Sequence, residues 1–313
     1  MNLLRRVPLA IGVWLGVAAI VFGLMYVVPA DPARILAGAQ ADPSTVAAIH
    51  AQLGLDRPLI VRFAAYLGGL LHGDWGQSYL TGEPVLGTVL SHFPATLELA
   101  LGALIVYLLF GCGLGILAGS RPGSWADRLA SVFVLAGKSV PGFWLGLVLL
   151  FLFASQLAIF PLGGAGEGGF LDTAYHLALP ALTLGLSGAA YYMRLLRQGL
   201  AAELGSDYVR TARAKGIGEG TVLWKHALRN AILPVFTLLG VDFAQLLGGA
   251  VLTEAVFDWP GIGQLALQSI ATLDVPMIMG TVLFAATAIV AINLAVDLVY
   301  PLIDPRLRDR GAL

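Results

Sequence analysis

Apolar residues along this chain gather into six long stretches, over residues 8–28, 95–119, 129–155, 177–192, 231–256 and 277–300. A helix needs about 20 largely apolar residues to cross roughly 30 Å of hydrocarbon, because every backbone N–H and C=O must find its partner inside the segment. Each stretch therefore predicts a membrane-crossing helix. The fourth is the shortest and can extend through Leu196. The connection between the first two spans, residues 29–94, is long and not featureless. Ser44 stands where it can cap a short helix reaching Leu53. Residues 59–71, apolar on most faces with Arg62 and His72 at the edges, suit a helix lying at the membrane interface or packed over the span ends.

Apolar types make up 58% of the 313 residues and charged types 12%, against about 25% charge in a soluble domain. One soluble core cannot hide this much apolar surface. The net charge of −1 says less than the placement of the charges, since Lys and Arg accumulate on cytoplasmic loops. Arg5 and Arg6, Arg121 and Arg128, then Arg194, Arg197, Arg210, Arg213, Lys215, Lys225 and Arg229, and finally Arg306, Arg308 and Arg310 all fall on one side of a six-span topology. Only Arg34, Arg57 and Arg62 fall on the other, and Lys138 lies within the third span. Both termini are thus expected in the cytoplasm. Arg5-Arg6 and the run behind them also fit a cleavable signal, but an apolar length of about twenty residues favours a retained helix. Cys112 is the single cysteine, and the five histidines (50, 72, 92, 176 and 226) are scattered without ligand spacing. Neither a disulfide framework nor a metal or catalytic centre is predicted. Ala136-Gly-Lys-Ser139 matches the end of a phosphate-binding loop, yet Val132 stands where that motif requires glycine.

The longest cationic connection, between the fourth and fifth spans, carries the chemistry. Residues 207–216 and 221–230 read as two short helices around the Gly-rich turn Ile217-Gly-Glu-Gly220, the first capped by Ser206 or Asp207. A compact helical pair of this kind needs something to dock on; a basic loop held on anionic lipid heads is the simpler alternative.

The wording of this loop, Tyr208-Val-Arg-Thr-Ala-Arg-Ala-Lys-Gly216 with His226-Ala-Leu-Arg-Asn-Ala231 and Pro234, resembles the coupling loop of ABC importer permeases of the dipeptide/oligopeptide/nickel class. Further stretches agree in order along the chain: Pro29-Ala-Asp-Pro32, Leu53-Gly-Leu-Asp-Arg-Pro58, Gly73-Asp-Trp-Gly-Gln-Ser78, Ala95-Thr-Leu-Glu-Leu99, Leu252-Thr-Glu254, Phe257-Asp-Trp-Pro-Gly-Ile-Gly263, Asp274-Val-Pro276, Asn293-Leu-Ala-Val-Asp297 and Asp304-Pro-Arg306. The resemblance implies an all-α, six-helix type I importer permease. A first helix with its outer loop (1–94) would precede a five-helix core (95–301) holding the coupling loop (204–230), and a cytoplasmic tail (302–313) would follow. It further implies a bacterial inner-membrane protein pairing with a homologous permease, two ATPase domains and a periplasmic or lipid-anchored substrate-binding protein. ATP and Mg would sit on the partner ATPases and no cofactor on this chain; lipid is expected around it and no nucleic acid. Tyr208, Arg210, Thr211, Ala212, Arg213, Ala214, Lys215, Gly216 and His226 would couple to the ATPase. Arg210 and Thr211 replace the Glu-Ala that opens the general family motif, which puts in question any role of that Glu.

Ionisable groups at membrane depth point to a pathway, an ion pair or a subunit contact. Asp242 and Gln245 share a helical face and stand either on the translocation pathway or in a contact with a neighbouring helix. Lys138, beside Pro141, stands either on that pathway, paired with an acid across spans, or snorkelling to the cytoplasmic end. Asn293 and Asp297 read as ties between helices, and Glu98 and Glu254 as interface or capping residues near outer span ends. By resemblance Glu254, Phe257, Trp259 and Pro260 belong to the periplasmic gate and docking face, although a plain structural turn explains them equally well. An ion-coupled secondary carrier is the rival reading. It leaves the 204–230 loop without a role, and the two halves of the chain show no internal similarity.

Overall fold

A computed structural model describes residues 3–27, 32–38, 40–248 and 250–303. Among them there is no strand, only an isolated bridge between Gln77 and Pro84. The helices are α1 (Leu3–Val27), α2 (Pro32–Ala37), α3 (Pro43–Gln52), α4 (Leu59–Leu71), α5 (Val85–Ser120), α6 (Trp125–Ser139), α7 (Gly142–Gln156), α8 (Phe170–Leu204), α9 (Asp207–Ala214), α10 (Glu219–Ala231), α11 (Leu233–Leu247), α12 (Val251–Val256), α13 (Ile262–Ala271) and α14 (Val275–Ile303).

Each expected span falls on a helix or a broken run of helices. Residues 85–120 and 275–296 are long and apolar enough to cross a membrane unaided, and α10 with α11 makes a third candidate bent by 46°. Two stretches are interrupted. At Val140 and Pro141 the backbone is extended, separating α6 from α7, because proline cannot donate into the helical ladder and biases its predecessor away from helix. The fifth stretch breaks after Leu247, so α11 has only 15 residues and α12 is a separate short piece. The fourth span, by contrast, is a 35-residue helix.

Helix directions follow from which residues meet. On α5, Gly111, Gly115 and Gly119 recur every fourth position and face Ala189, Met193 and Arg197 of α8 in the same order. Small residues at this spacing let two backbones approach closely in a membrane. A Cβ added to Gly111 would lie 2.8 Å from the Ala189 carbonyl oxygen. The constant offset makes α5 and α8 parallel. Gly137, Gly142 and Gly146 meet Ala190, Ser187 and Thr183 in reverse order, so α6–α7 runs antiparallel to α8. Gly240 faces Val296 and Gly248 faces Ile289, which makes α11 antiparallel to α14. Trp14 Nε1 donates to Thr287 Oγ1 at 2.9 Å, and Ala18 packs with Leu283 while Val21 packs with Val275 and Met279, so α1 and α14 are antiparallel too. These relative directions are the alternation that six crossings require.

The long connection corrects two expectations. The N-cap position of α3 is Asp42 without a side-chain cap bond, and Pro43 at the first helical position, not Ser44, marks the start. Helix α4 does not lie across the span ends. Its Phe63 meets Phe22 at 5.2 Å and its Leu67 packs with Trp14, so it descends antiparallel along α1. The loop after it is tied back by Asp274, which accepts from Ser78 Oγ at 2.5 Å and Tyr79 N at 3.1 Å.

The α5–α8 contact gives the first prediction. Gly111→Ala should cost roughly 1–3 kcal/mol by overpacking and lower the detergent melting temperature by several degrees. Gly113→Ala, which meets nothing within 4 Å, should leave it unchanged. Equal melting temperatures for the two variants would contradict this packing.

Candidate functional site

The 204–230 segment builds a rigid helical bracket. Asp207 in the first turn of α9 and Arg213 in its last complement the helix dipole, and Gly216, at φ +77°, turns the chain away. Ser206 occupies the N-cap position, but its hydroxyl donates to Glu203 O at 2.6 Å and makes no cap bond. Val209 and Ala212 are buried against Val222, with Leu204 and Ile217 around them.

Polar contacts fix this bracket to the end of α8. Arg213 donates through Nε and Nη2 to the two Glu219 carboxylate oxygens at 2.7 and 3.0 Å, and through Nη1 to Leu204 O at 3.3 Å. The Tyr208 hydroxyl donates to Glu203 Oε2 at 2.5 Å, accepts from Asn230 Nδ2 at 3.2 Å and lies 3.3 Å from His226 O. Of the residues expected to couple, Tyr208, Arg210, Thr211, Arg213, Ala214, Lys215 and Gly216 are exposed, His226 is partly buried and Ala212 is buried. The bracket's outward surface is thus cationic and aromatic, with Trp224 added to it at 62% exposure. Sequence reasoning missed Glu203, Glu219 and Asn230, whose contacts cross a turn and follow no helical period.

Within the helical bundle, Asp242 on α11 accepts from the Tyr192 hydroxyl at 2.6 Å. Tyr192 stacks on Tyr107 with ring centroids 5.1 Å apart, and Tyr107 opens a π-helical turn, Tyr107–Cys112, inside α5. Such turns recur at functional sites. Asp242 is partly buried and Gln245, three residues on, is exposed. The side chains of Lys138 and Asp297 lie outside the described residues, while Asn293 and Glu98 are exposed.

At the opposite end of the bundle a carboxylate organises a turn. Glu254 is fully buried; it accepts from Thr96 Oγ1 at 3.0 Å, from Gln264 N at 2.9 Å and from the backbone of Gly263. Thr96 Oγ1 in turn accepts from Ile262 N at 2.8 Å, so the first N–H groups of α13 converge on acid and hydroxyl, as a helix N-terminus favours. A Cβ on Gly261 would sit 2.4 Å from this carboxylate. Trp259 Nε1 donates to Ala95 O at 2.7 Å. Phe257 and Trp259 are buried, leaving Asp258 and Pro260 exposed.

Residues 111–309 match the family of binding-protein-dependent transport system inner membrane components, and residues 1–100 match the family's N-terminal region. The chain belongs to this family. It is 43% identical to the probable D,D-dipeptide transport system permease DdpB of Escherichia coli K12, over 95% of this chain and 94% of that one. Identity to the glutathione transport system permease GsiC of Salmonella paratyphi A is 41%, over 97% and 98%, and to the E. coli dipeptide permease DppB 36%, over 98% of each. Over 71% of this chain and 98% of that one, the fold is similar to a chain of the MetNI methionine ABC transporter, solved in inward-facing conformations, with a TM-score of 0.57 and 20% identity.

The chain is therefore an ABC importer permease of the peptide class, a multi-pass inner-membrane transport subunit that works with ATPase and substrate-binding partners. In that setting the bracket's ion pair has a testable pH signature. Arg213 holds Glu219 below its ordinary value of 4.5, so the pair's contribution is present at neutral pH and above 4.5 and is lost as pH falls through the depressed value. The protection of amides across residues 214–221, taken relative to their intrinsic exchange rate at each pH, should hold from neutral pH to about 5 and fall only in stronger acid. Glu219→Gln should exchange faster already at neutral pH; an identical profile for the two proteins would remove the pair from the bracket.

Proposed function

We propose that this permease moves small peptides, or peptide-like solutes such as glutathione, inward across the membrane, with both termini in the cytoplasm. The names of its relatives support peptides over nickel or metal chelates. A homologous permease completes the pathway, two ATPase domains bind the ATP and Mg, and a periplasmic or lipid-anchored protein delivers the solute. This chain itself holds no nucleotide or cofactor, binds no nucleic acid and contacts lipid around its apolar rim.

The observation that carries the mechanism is the anchoring of the 204–230 bracket to α8. Tyr208, Arg210, Thr211, Arg213, Ala214, Lys215, Gly216 and His226 form the face on which an ATPase domain bears, and Ala212 sets its distance from Val222. Motion of that domain passes into α8 because Arg213 and Tyr208 grip residues 203 and 204. Asp242 with Gln245, and Lys138 on the third span, line the pathway, since an acid at membrane depth persists where it meets water or a cation. Glu254, Phe257 and Trp259 position the outer gate from inside, and Pro260 meets the binding protein.

Two experiments on the reconstituted importer test this reading. Ala212→Phe should preserve subunit assembly yet cut uptake by at least about tenfold, equivalent to roughly 1.4 kcal/mol of coupling; full uptake with the bulky side chain would refute the bracket's role. Asp242→Asn should lower solute uptake while ATP hydrolysis stimulated by the binding protein persists. An unchanged uptake rate would take Asp242 off the pathway.

A further inference from the structure

The Asp242 carboxylate is only half satisfied. Its Oδ2 accepts from the Tyr192 hydroxyl at 2.6 Å, and it forms no ion pair among the described residues. We propose that Oδ1 receives the terminal ammonium of a passing peptide and that Tyr192 is the residue that positions it, an inference that rests on the pathway reading above.

The hydroxyl is held from several sides. Tyr192 is buried, stacks on Tyr107, and meets Tyr191 edge-on with ring centroids 6.1 Å apart. A Cβ on Gly111 would lie 2.8 Å from the Tyr192 Cβ, so the close approach of α5 and α8 fixes where the hydroxyl stands. Asp242 itself borders an open strip of α11. Val235, Ala244, Leu246 and Leu247 are buried, whereas Pro234, Val241 and Gln245, about two and three turns apart on one face, are exposed. Asp242 follows Val241 and stands one turn before Gln245. With Oδ2 engaged, Oδ1 is the atom left for what travels along this strip.

Charge decides the occupant. A tyrosine hydroxyl adds a donor but no positive charge, so the carboxylate stays uncompensated at membrane depth, where that is costly. An ammonium brings the charge together with three N–H donors, one for Oδ1 and one for the amide oxygen of Gln245. A peptide carries that group at its amino terminus. Acetylation of the terminus removes both the charge and the spare donors.

The test uses the whole importer in nanodiscs without its binding protein, treated with the membrane-soluble reagent dicyclohexylcarbodiimide, and reads the modified fraction of Asp242 by peptide mass spectrometry. Millimolar glycylglycine should slow the labelling by roughly threefold, as partial occupancy of a weak site does, and N-acetylglycylglycine should not. Tyr192→Phe keeps the ring stack but frees the carboxylate, and should abolish the difference between the two peptides. Tyr191→Phe, which loses a hydroxyl outside this contact, should preserve it. Equal protection by both peptides would overturn the ammonium contact while leaving Asp242 on the pathway. Labelling that neither peptide slows would overturn it in favour of water alone, and a difference that survives in Tyr192→Phe would remove the positioning role. Failure of the reagent to reach Asp242 at all would mean that a neighbouring subunit covers it, and the pathway reading would fall with the contact.

Discussion

The near contact between the backbones of α5 and α8 is the constraint on which the rest of the permease depends. Lipid tails are as apolar as leucine, so helices in a membrane gain little from burying apolar surface against each other and must gain from close packing instead. Gly111, Gly115 and Gly119 supply that on one side, and Gly185 and Gly188 on the other, where a Cβ would meet Val106 and Tyr107 at 2.3 Å. Because both helices contribute glycines, neither can slide or rotate without backbone collision. The pair behaves as a single body to which shorter pieces are attached.

Those attachments sit at the two ends of that body. At one end Glu203 and Leu204 of α8 receive Tyr208 and Arg213 from the bracket, and Asp127 of α6 receives Arg197 of α8 through both carboxylate oxygens. At the other end Ala95 and Thr96 of α5 hold Trp259, Ile262 and Glu254. The interrupted fifth span gains its cohesion here: α12 and α13 are too short to be stable alone, and the buried carboxylate ties both to α5. Under the proposed coupling, a push on the bracket reaches the outer turn through two parallel helices, as a rigid-body rotation does. No flexible linker intervenes along that route.

Much of this architecture was legible in the sequence, and what escaped did so for physical reasons. Residues 59–71 were expected as a helix and form one, since apolar content and the flanking proline and glycine set both ends. The direction of that helix was not legible, because apolar faces look alike whether a helix lies over a membrane or descends along α1. Apolar length also hides breaks: residues 129–155 and 231–256 are largely apolar, and only Pro141 in the first hints at the extended backbone found there. Asp242 stood out as costly, but its partner Tyr192 did not, since a tyrosine in a span reads as ordinary apolar content. The basic loop was legible as a helical pair, whereas Arg213–Glu219 crosses a turn whose geometry no periodicity encodes.

The segment Phe257-Asp-Trp-Pro-Gly-Ile-Gly263 shows how a motif acquires its spelling. Read as sequence, it is part of a docking face by resemblance, or a plain turn. In the structure the rings point inward, and the glycines are required by what lies beside them: any side chain at Gly261 or Gly263 would occupy the space of the Glu254 carboxylate. That carboxylate needs the N–H groups the glycines leave open, because a buried charge without donors is far costlier than a strained turn. Thr96 completes the set by accepting from Ile262 while donating to Glu254, so one hydroxyl satisfies two elements at once. Stretches 252–254 and 257–263, close in sequence, and the distant 95–99 are thus one hydrogen-bonded unit. A change in any one of them alters the fit of the other two, and with it the position of the outer turn relative to α5.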